Sequence, residues 1–276
     1  MRLTVRRCRM CRGVFNEDVA EYDDGLCKDC AMTRKYEGEM RMQIEVVKPT
    51  VNLLTEISAA RDQIILCAYA AGKSRGRTEF PMLGESQILL SKLLRMRPPH
   101  ASVMEHSAVS FLFGCSRIAT HEIVRHRLCA FTQTSTRYIE EKGTVDSPIE
   151  IIKPPDMPME DLGSFEYISD DAGSILQRTD GGAMPSQWVE DAAQALANYK
   201  KARAIGVKRE SARYLLPHCL SADIVVTANF RQWRHMIYLR THRTAAPEMR
   251  YLFEIVRQEL FHVSPLLVEN ISEERF

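Results

Sequence analysis

The sequence has no long apolar run, no secretory leader and no large excess of either charge. Its longest apolar stretch extends only from Ile64 to Ala71, far short of the roughly 18 to 20 residues that a membrane-spanning helix needs. The basic N-terminus lacks the apolar segment of a signal peptide. The net charge of +1 argues against bulk nucleic-acid binding, which needs a broadly basic surface. We therefore expect a soluble, cytoplasmic protein with no membrane partner.

The composition is that of a folded protein with an unusual excess of arginine. The chain has 276 residues, of which 45% are hydrophobic and 26% are charged, so it can bury a substantial core. Arginine accounts for 27 of the 37 basic residues. Guanidinium groups bind phosphates and carboxylates through paired hydrogen bonds. The excess indicates anionic small ligands, and a solvated arginine-rich surface is the alternative.

Four of the eight cysteines lie within the first thirty residues, in two CxxC pairs separated by fifteen residues. This spacing is typical of a structural zinc site with four thiolate ligands, and a metal can stabilise a segment too short to form its own core. Two disulfides are the alternative. The sequence predicts a zinc ribbon over residues 1–40 and a catalytic domain over residues 41–276. The predicted zinc ligands are Cys8, Cys11, Cys27 and Cys30.

Apolar periodicity predicts a chain of mixed helices and strands. Gly114 and Pro217 are expected to end a strand and a helix, and Glu160–Gly182 is expected to form a long surface loop. The predicted strands are Gln43–Val47, Ser107–Phe113, Ile149–Ile152 and Ala222–Thr227. The predicted helices are Ile57–Ala71, Glu85–Arg97, Cys115–Arg127, Ser186–Ala204, Arg209–Leu216, Phe230–Leu239 and Pro247–Phe261.

Cationic and hydroxyl side chains are concentrated in two parts of the sequence. The first contains Arg125-His126-Arg127 and, after seven further residues, the segment Ser135–Tyr138. The second begins with Arg209 and Arg213, which share a helical i, i+4 spacing, and continues with Asn229, His235 and Arg240. Together they have the composition of a site for phosphate-bearing ligands. Exposed arginines at helix ends are the alternative.

The segment RHRLCAFTQTS resembles the RHR-seven-residues-Ser motif of flavin-dependent thymidylate synthases. The resemblance extends upstream to HASVMEH, which is similar to an HxxxxEH segment, and downstream to RESARYLLP, Asn229 and Arg240-Thr241. It covers roughly residues 44–270. It implies an α+β fold, with an antiparallel sheet and flanking helices, and a homo-oligomer, typically a tetramer.

The resemblance also implies a reaction and a set of ligand-binding residues. Members of that family use FAD, reduced by NADPH, to convert dUMP to dTMP with methylenetetrahydrofolate as carbon donor. Arg240 would face the uracil ring, with Ser135 as a second catalytic-site contact. The residues implied for FAD are His100, Ser102, Glu105, Arg125, His126, Arg127, Gln133, Asn229 and His235. The residues implied for dUMP are Glu122, Ser135, Thr136, Arg137, Arg213 and Arg240.

The sequence departs from the family pattern at several positions. Glu122 stands where the family usually has Gln, and Gln133 stands where it usually has an acid, so an acid and an amide are exchanged. Thr244-Ala245-Ala246 replaces the usual His-Ala-Gln. The N-terminal cysteine module is an addition, either a structural cap or a binding site for a protein or nucleic acid.

Alternative functions and a possible nucleophile stay open. On the same scaffold, the chain could methylate UMP or hydroxymethylate dUMP. From a different class, it could be a nucleic-acid-binding regulator that uses the zinc ribbon and retains a vestigial flavin domain. Cys129 lies close to Arg127 and is the candidate for a protein nucleophile, but the resemblance implies activation of the uracil by the flavin and Arg240 instead.

Overall fold

The computed structural model describes residues 5–7, 14–16, 39–170 and 173–271. Its contacts divide the chain into two compact units. The first unit comprises Met1–Val47, Ser135–Ile151 and Pro158–Leu220, and the second comprises Lys48–Thr134, Ile152–Met157 and Ser221–Phe276. The domain boundary near residue 40 stays a prediction, since residues 17–38 lie outside the described ranges.

Ten strands and seven α-helices form the described parts of the chain. The strands are β1 (Val5–Arg7), β2 (Val14–Asn16), β3 (Met40–Val47), β4 (Thr50–Leu53), β5 (Val109–Ser116), β6 (Ala130–Gln133), β7 (Ile149–Ile152), β8 (Gly163–Asp170), β9 (Gly173–Arg178) and β10 (Ser221–Ala228). The helices are α1 (Ile57–Lys73), α2 (Leu83–Leu94), α3 (Arg117–Ile123), α4 (Gln187–Ala204), α5 (Arg209–Ala212), α6 (Phe230–Arg240) and α7 (Pro247–Val263). Short 3-10 helices cover Ala101–His106, Met159–Asp161, Arg213–Leu215 and Pro265–Leu267.

The first unit is built on a four-stranded sheet with the order β7-β3-β8-β9. Alternate residues of β3, namely Met42, Ile44 and Val46, are buried, as a strand with one face on a core requires. They pack with Phe165 and Tyr167 of β8 and with the apolar face of α4. Strands β1 and β2 form a separate antiparallel pair.

The second unit is built on a four-stranded sheet with the order β4-β5-β10-β6. Strand β5 pairs antiparallel with β10 along its whole length, from Ser116 opposite Ser221 to Val109 opposite Ala228. The buried Trp233 of α6 donates its indole N–H to the carbonyl of Val109 at 3.0 Å. This bond fixes α6 on the sheet and thereby positions the residues at the end of that helix.

The α+β class predicted from the sequence is confirmed, but the expected loop over Glu160–Gly182 is wrong. Most of that segment forms an antiparallel hairpin of β8 and β9, with Phe165 opposite Arg178 and Asp170 opposite Gly173. Its acidic and glycine residues conceal an alternation in which Phe165 and Tyr167 are buried. One-sided burial requires only that alternation, whatever the overall polarity.

The predicted break at Gly114 is also wrong, and the predicted helix Cys115–Arg127 is confirmed only over Arg117–Ile123. Gly114 lies inside β5, where a Cβ would approach the Thr50 hydroxyl oxygen of β4 to 2.6 Å, so glycine serves close strand packing. Helix α3 begins only after Ser116, whose hydroxyl accepts a hydrogen bond from the Ala119 amide at 3.1 Å. The helix ends at Ile123, so the RHR triplet lies in the turns that follow it.

The remaining predictions agree with the structure apart from their ends. Helix α2 ends at Leu94, three residues before Arg97, and the predicted helix Arg209–Leu216 is a short α-helix continued by a 3-10 turn. The other helices and strands overlap their predictions closely. Among the described residues, no helix is long and apolar enough to cross a membrane.

Candidate active site

Arg240, the last residue of α6, connects three segments of the second unit. Its Nε donates to His126 Nε2 at 2.9 Å, its Nη1 donates to Glu122 Oε2 at 2.6 Å, and its Nη2 donates to the Glu122 carbonyl at 3.0 Å. The guanidinium therefore holds the end of α3, the RHR turn and the end of α6 together. Since arginine carries five N–H donors, two of them stay available for a ligand.

His126 is held as a neutral imidazole with a defined tautomer. Only 6% of the residue is exposed, and arginine cannot accept a hydrogen bond. Nε2 must therefore be the accepting nitrogen, which places the proton on Nδ1. Burial, together with the nearby Arg240 and His235, lowers the pKa of His126 to about 4. The imidazole can orient Arg240 without adding a second positive charge.

This arrangement predicts that acid weakens the second unit. An exposed imidazole of the unfolded chain gains a proton near pH 6.5, whereas His126 in the fold gains it only near its pKa of about 4. The stabilisation is therefore complete above the unfolded-state pKa and is lost as pH falls toward 4, by on the order of 3 kcal/mol.

Urea unfolding of the wild type and of His126→Gln between pH 4 and pH 7 tests this expectation. Glutamine offers an acceptor near the position of Nε2 but does not titrate, so its stability should vary less with pH. Parallel pH profiles for the two proteins would contradict the assignment.

Glu248 is a buried carboxylate that sequence reasoning missed. Its Oε1 accepts from the Ser116 amide at 2.8 Å and its Oε2 accepts from the Ser116 hydroxyl at 2.6 Å. Burial, and more weakly the Glu122 charge, raises the pKa of this carboxyl. Glu248 thus joins the start of α7 to the start of α3, the helix that carries Glu122. The acid after Pro247 at the start of a helix was the available sequence signal, but it does not reveal the partner.

Asn229 and Ser107 cap the start of α6. The Asn229 Oδ1 accepts from the Gln232 amide at 2.8 Å, and the Ser107 hydroxyl accepts from the Phe230 amide at 2.8 Å. The oxygen of Asn229 therefore has a structural role, which leaves its amide nitrogen as the group able to contact a ligand. On the same helix, the ring of His235 lies 6.4 Å from that of His126, nearly perpendicular to it.

Glu122 and Gln133, the exchanged acid and amide, have different partners near α3. Gln133 donates its amide to the Thr120 hydroxyl at 3.0 Å, whereas Glu122 accepts from Arg240. Within the described part of the chain, no hydrogen bond joins the two. Their placement on opposite sides of one ligand stays a prediction.

The upstream site residues lie in and before the 3-10 helix Ala101–His106. Glu105 is exposed and pairs with Arg231 of α6. His100 and Ser102 line a cavity of about 400 Å³ together with residues of α1 and α2. Arg125 and Arg127 are exposed, and in the described ranges neither side chain pairs with a carboxylate. The guanidiniums of the RHR triplet are therefore available to an anion.

The predicted nucleotide residues of the first unit gather around one turn. The Arg137 amide donates to the Ser135 hydroxyl at 3.3 Å, and Thr136 is buried. The turn is held against α5, because Arg209 donates to the Tyr138 carbonyl at 2.6 Å and Arg137 pairs with Glu210 at 3.3 Å. Arg213 follows directly on α5.

The four N-terminal cysteines lie outside the described residues, so the zinc site stays a prediction. In the described ranges, no group of three or more His, Cys, Asp or Glu side chains could hold a metal ion. Of the other four cysteines, Cys67 and Cys115 are buried, and Cys129 and Cys219 are half-buried.

A family model described as "Thymidylate synthase complementing protein" matches residues 53–266. The chain belongs to this family. The family resemblance predicted from the RHR segment is thereby confirmed. The matched range contains every residue that the resemblance assigned to flavin or nucleotide, whereas the N-terminal cysteines precede it.

Curated relatives within this family are named flavin-dependent thymidylate synthase. The protein from Mycobacterium bovis (strain BCG / Pasteur 1173P2) is 35% identical over 174 residues, which cover 63% of this chain and 65% of the relative. The protein from Mycobacterium leprae (strain Br4923) is 32% identical over 180 residues, covering 63% and 66%. The chain thus spans slightly less than two thirds of the length of the relatives it matches.

Two solved structures share the fold. The UMP/dUMP methylase PolB from Streptomyces cacaoi, bound with 5-Br dUMP, has a TM-score of 0.60 and 23% identity, with 83% of this chain and 97% of that chain covered. ThyX from Helicobacter pylori, complexed with FAD and dUMP, has a TM-score of 0.54 and 17% identity, with 82% and 99% covered. At these identities the likeness concerns the fold.

Cys129 does not have the environment of an activated nucleophile in this member of the family. Its thiol lies 3.5 Å from the Met236 sulfur, and burial raises its pKa to about 11. Reactive cysteines instead have a lowered pKa, usually from a nearby cation or an adjacent base. Its position two residues after Arg127 in sequence therefore does not give it a thiolate.

Proposed function

We propose that the chain methylates C5 of dUMP, with methylenetetrahydrofolate as carbon donor, NADPH as reductant and FAD as cofactor. The products are dTMP, tetrahydrofolate and NADP⁺. The observation that carries this proposal is the family match over residues 53–266, which contains all the ordered motifs of the resemblance. The relatives named flavin-dependent thymidylate synthase support it.

The nucleotide would be bound by hydroxyl and guanidinium groups. Ser135, Thr136, Arg137 and Arg213 supply donors suited to a phosphate. The two remaining N–H donors of Arg240 would stabilise negative charge that develops on the pyrimidine ring, and the bond that Arg240 donates to His126 fixes their direction. Glu122 partly neutralises Arg240, which fits a neutral uracil as the bound ground state.

The residues assigned to FAD have a donor set that fits its pyrophosphate. Arg125 and Arg127 present exposed guanidiniums without carboxylate partners in the described ranges. A guanidinium binds a phosphate through two parallel hydrogen bonds. The amide nitrogen of Asn229 supplies a further donor. When bound, FAD would accept hydride from NADPH and deliver reducing equivalents to the transferred carbon. The protein residues would bind the flavin and exclude water from it.

The raised pKa of Cys129 predicts catalysis without a cysteine nucleophile on the pyrimidine. Cys129→Ala should retain most of the wild-type rate of dTMP formation, within about threefold, because the substitution changes only the packing and hydrogen bonding of a thiol that is not activated. Steady-state rates and a mass spectrum of the enzyme quenched during turnover provide the check. Loss of activity in a folded, FAD-loaded variant, or an adduct on Cys129, would refute this mechanism.

Oxidation of NADPH by the FAD-loaded chain, with and without dUMP, tests the proposed function. A dUMP-stimulated rate, with dTMP formed when methylenetetrahydrofolate is present, is the expected result. A flavin-free protein, or a rate indifferent to nucleotide, would contradict the proposal.

A second candidate function is methylation of UMP. The likeness of the fold to a UMP/dUMP methylase and the exchange at Glu122 and Gln133 favour testing it. Parallel assays with UMP and dUMP, with the mass of each product, separate the two substrates. The same product masses distinguish a methyl from a hydroxymethyl group.

We also propose that the N-terminal cysteine module binds one zinc ion per chain. Four thiolates in this spacing are the donor set of a tetrahedral structural zinc site. Metal analysis should find zinc in the wild type and none in a Cys8→Ser, Cys27→Ser variant, whose catalytic domain should still melt cooperatively. Zinc retained at the wild-type amount in that variant would defeat the assignment.

A further inference from the structure

Strand β9 forms an outer edge of the sheet in the first unit. The sheet order is β7-β3-β8-β9, so within the described ranges β9 pairs with β8 alone. The opposite edge is partly covered, because Ile151 of β7 forms an antiparallel bridge with Leu220. The backbone groups along the outer side of β9 are therefore open to a further strand.

The register of the β8–β9 hairpin shows which of these backbone groups point outward. The Thr179 amide donates to the Ser164 carbonyl at 2.9 Å, and the pairing continues to the turn without a bulge. In an antiparallel pair, every second residue bonds to the neighbouring strand, and the residues between them direct their backbone groups away from it. Counting back from Thr179, the outward amides and carbonyls are those of Ser174, Leu176 and Arg178.

The exposed part of β9 lacks the features that protect most edge strands. Natural edges are commonly blunted by lysine, by proline or by a β-bulge. From Gly173 to Gln177 the strand reads GSILQ, without proline or a charged side chain, and 66% of Ile175 is exposed. Edges of this kind can accept an extended segment of another protein through main-chain hydrogen bonds.

Arg178 holds the end of this edge in place. Its guanidinium donates to the carbonyls of Glu160, Leu162 and Ala183, and it pairs with Asp180. These bonds join the end of β9 to the segments that precede and follow the hairpin. An edge that is already ordered loses less conformational entropy when a partner binds.

Two cavities flank β9, one on each face of the sheet. The first, here called the α4 cavity, has a volume of about 450 Å³ and is lined by Leu176 and by the exposed acids Glu190 and Asp191 of α4. The second, here called the turn cavity, has a volume of about 250 Å³ and is lined by Ile168 and Ile175, which lie opposite each other in the register. Consecutive residues of a strand point to opposite faces, so Ile175 and Leu176 separate the two cavities.

The charges of the two cavities indicate the chemistry of a partner. Among the residues that the structure describes, no lysine or arginine lines either cavity, whereas Glu190 and Asp191 line the first and Asp170 lines the second. The α4 cavity therefore suits a cationic side chain, and the isoleucines of the turn cavity suit an apolar one. Side chains of an added strand alternate between the same two faces.

We propose that β9 binds an extended segment of a partner protein in which basic and apolar residues alternate. The segment would form a fifth strand, with backbone bonds to Ser174, Leu176 and Arg178. Its basic side chains would enter the α4 cavity, and its apolar side chains would cover Ile168 and Ile175. The residues assigned to flavin and nucleotide are not involved, so this proposal does not depend on the proposed reaction.

Fluorescence polarisation of a dye-labelled peptide of nine alternating arginine and valine residues tests the surface on the full chain. Ser174→Pro removes an outward N–H and places a ring at the edge, while the bonds between β9 and β8 stay intact. The Kd should therefore rise at least about tenfold. The matched control Ser174→Ala keeps the backbone donor and should bind as the wild type does, and thermal melting checks that both variants fold.

A second pair of variants tests the charge without changing the backbone. Glu190→Gln, Asp191→Asn removes the two acids of the α4 cavity and should raise the Kd about three- to tenfold. The control Asp62→Asn, Glu79→Gln removes the same charge from exposed positions of the second unit and should leave the Kd unchanged.

Absence of peptide binding to the wild type would overturn the proposal, as would equal weakening in the acid variant and its control. Equal binding by Ser174→Pro and Ser174→Ala would show that the peptide does not add to the edge. Sedimentation of the chain without peptide excludes one other occupant: if Ser174→Pro lowers the mass of the oligomer, a second copy of the chain covers β9 and the proposed partner is wrong.

Discussion

Arg240→Ala is expected to lower the turnover of dUMP about 100-fold or more. The guanidinium is the charged group that would face the uracil ring, and its orientation is fixed by His126 and Glu122. The substitution removes the charge and leaves the Glu122 carboxylate without its partner. Rates of dTMP formation at saturating FAD and NADPH, together with circular dichroism of the variant, measure the effect on a folded protein.

Two further variants separate charge from orientation at this position. Arg240→Lys keeps a positive charge but cannot reproduce the bonds to both His126 and Glu122, so its rate should lie between those of the wild type and Arg240→Ala. Arg257→Ala, on the exposed face of α7, is the control and should leave turnover unchanged. A folded Arg240→Ala protein with near wild-type turnover would show that Arg240 does not take part in the reaction.

Glu248→Ala should lower the free energy of unfolding by about 2–4 kcal/mol, because two buried donors of Ser116 lose their acceptor. The bonds at 2.8 and 2.6 Å are the connection between the starts of α3 and α7. Urea unfolding monitored by fluorescence provides the measurement. A loss below 0.5 kcal/mol, the ordinary range for a surface substitution, would contradict this role.

Glu248→Gln separates the hydrogen bonds from the charge. The pKa of Glu248 is raised in the fold, so the stability it confers is complete below the pKa of an unfolded carboxyl and declines as pH rises through the folded value. Glutamine does not titrate, so the stability of this variant should increase relative to the wild type from pH 4 to pH 7. A constant difference between them would mean that the carboxyl is not perturbed.

Local patterns predicted the elements whose side chains repeat with a clear period. Helices α1, α4, α6 and α7 were predicted within a few residues because each presents an apolar face at helical spacing. The hairpin β8–β9 was missed because its acidic composition outweighed the short alternation of Phe165 and Tyr167. The break predicted at Gly114 was wrong for a related reason. The need for glycine there comes from its close approach to Thr50, which is distant in sequence.

The sequence predicted which residues belong to the site, but it did not predict the hydrogen bonds that join them. Arg240, His126 and Glu122 were each singled out, yet their mutual bonds span more than 100 residues of sequence. Glu248 was missed because a carboxylate in the first turn of a helix ordinarily serves the helix dipole. Only the folded structure shows that it binds Ser116 instead.

The most direct test of the proposed reaction is the fate of the labelled one-carbon unit. The FAD-loaded chain is incubated with dUMP, NADPH and methylenetetrahydrofolate carrying a ¹³C methylene, and the nucleotide product is analysed by mass spectrometry. We expect dTMP with the label in its methyl group, and tetrahydrofolate as the folate product. If a fully folded protein that binds FAD left dUMP unchanged, or formed dTMP without the label, the result would contradict the account.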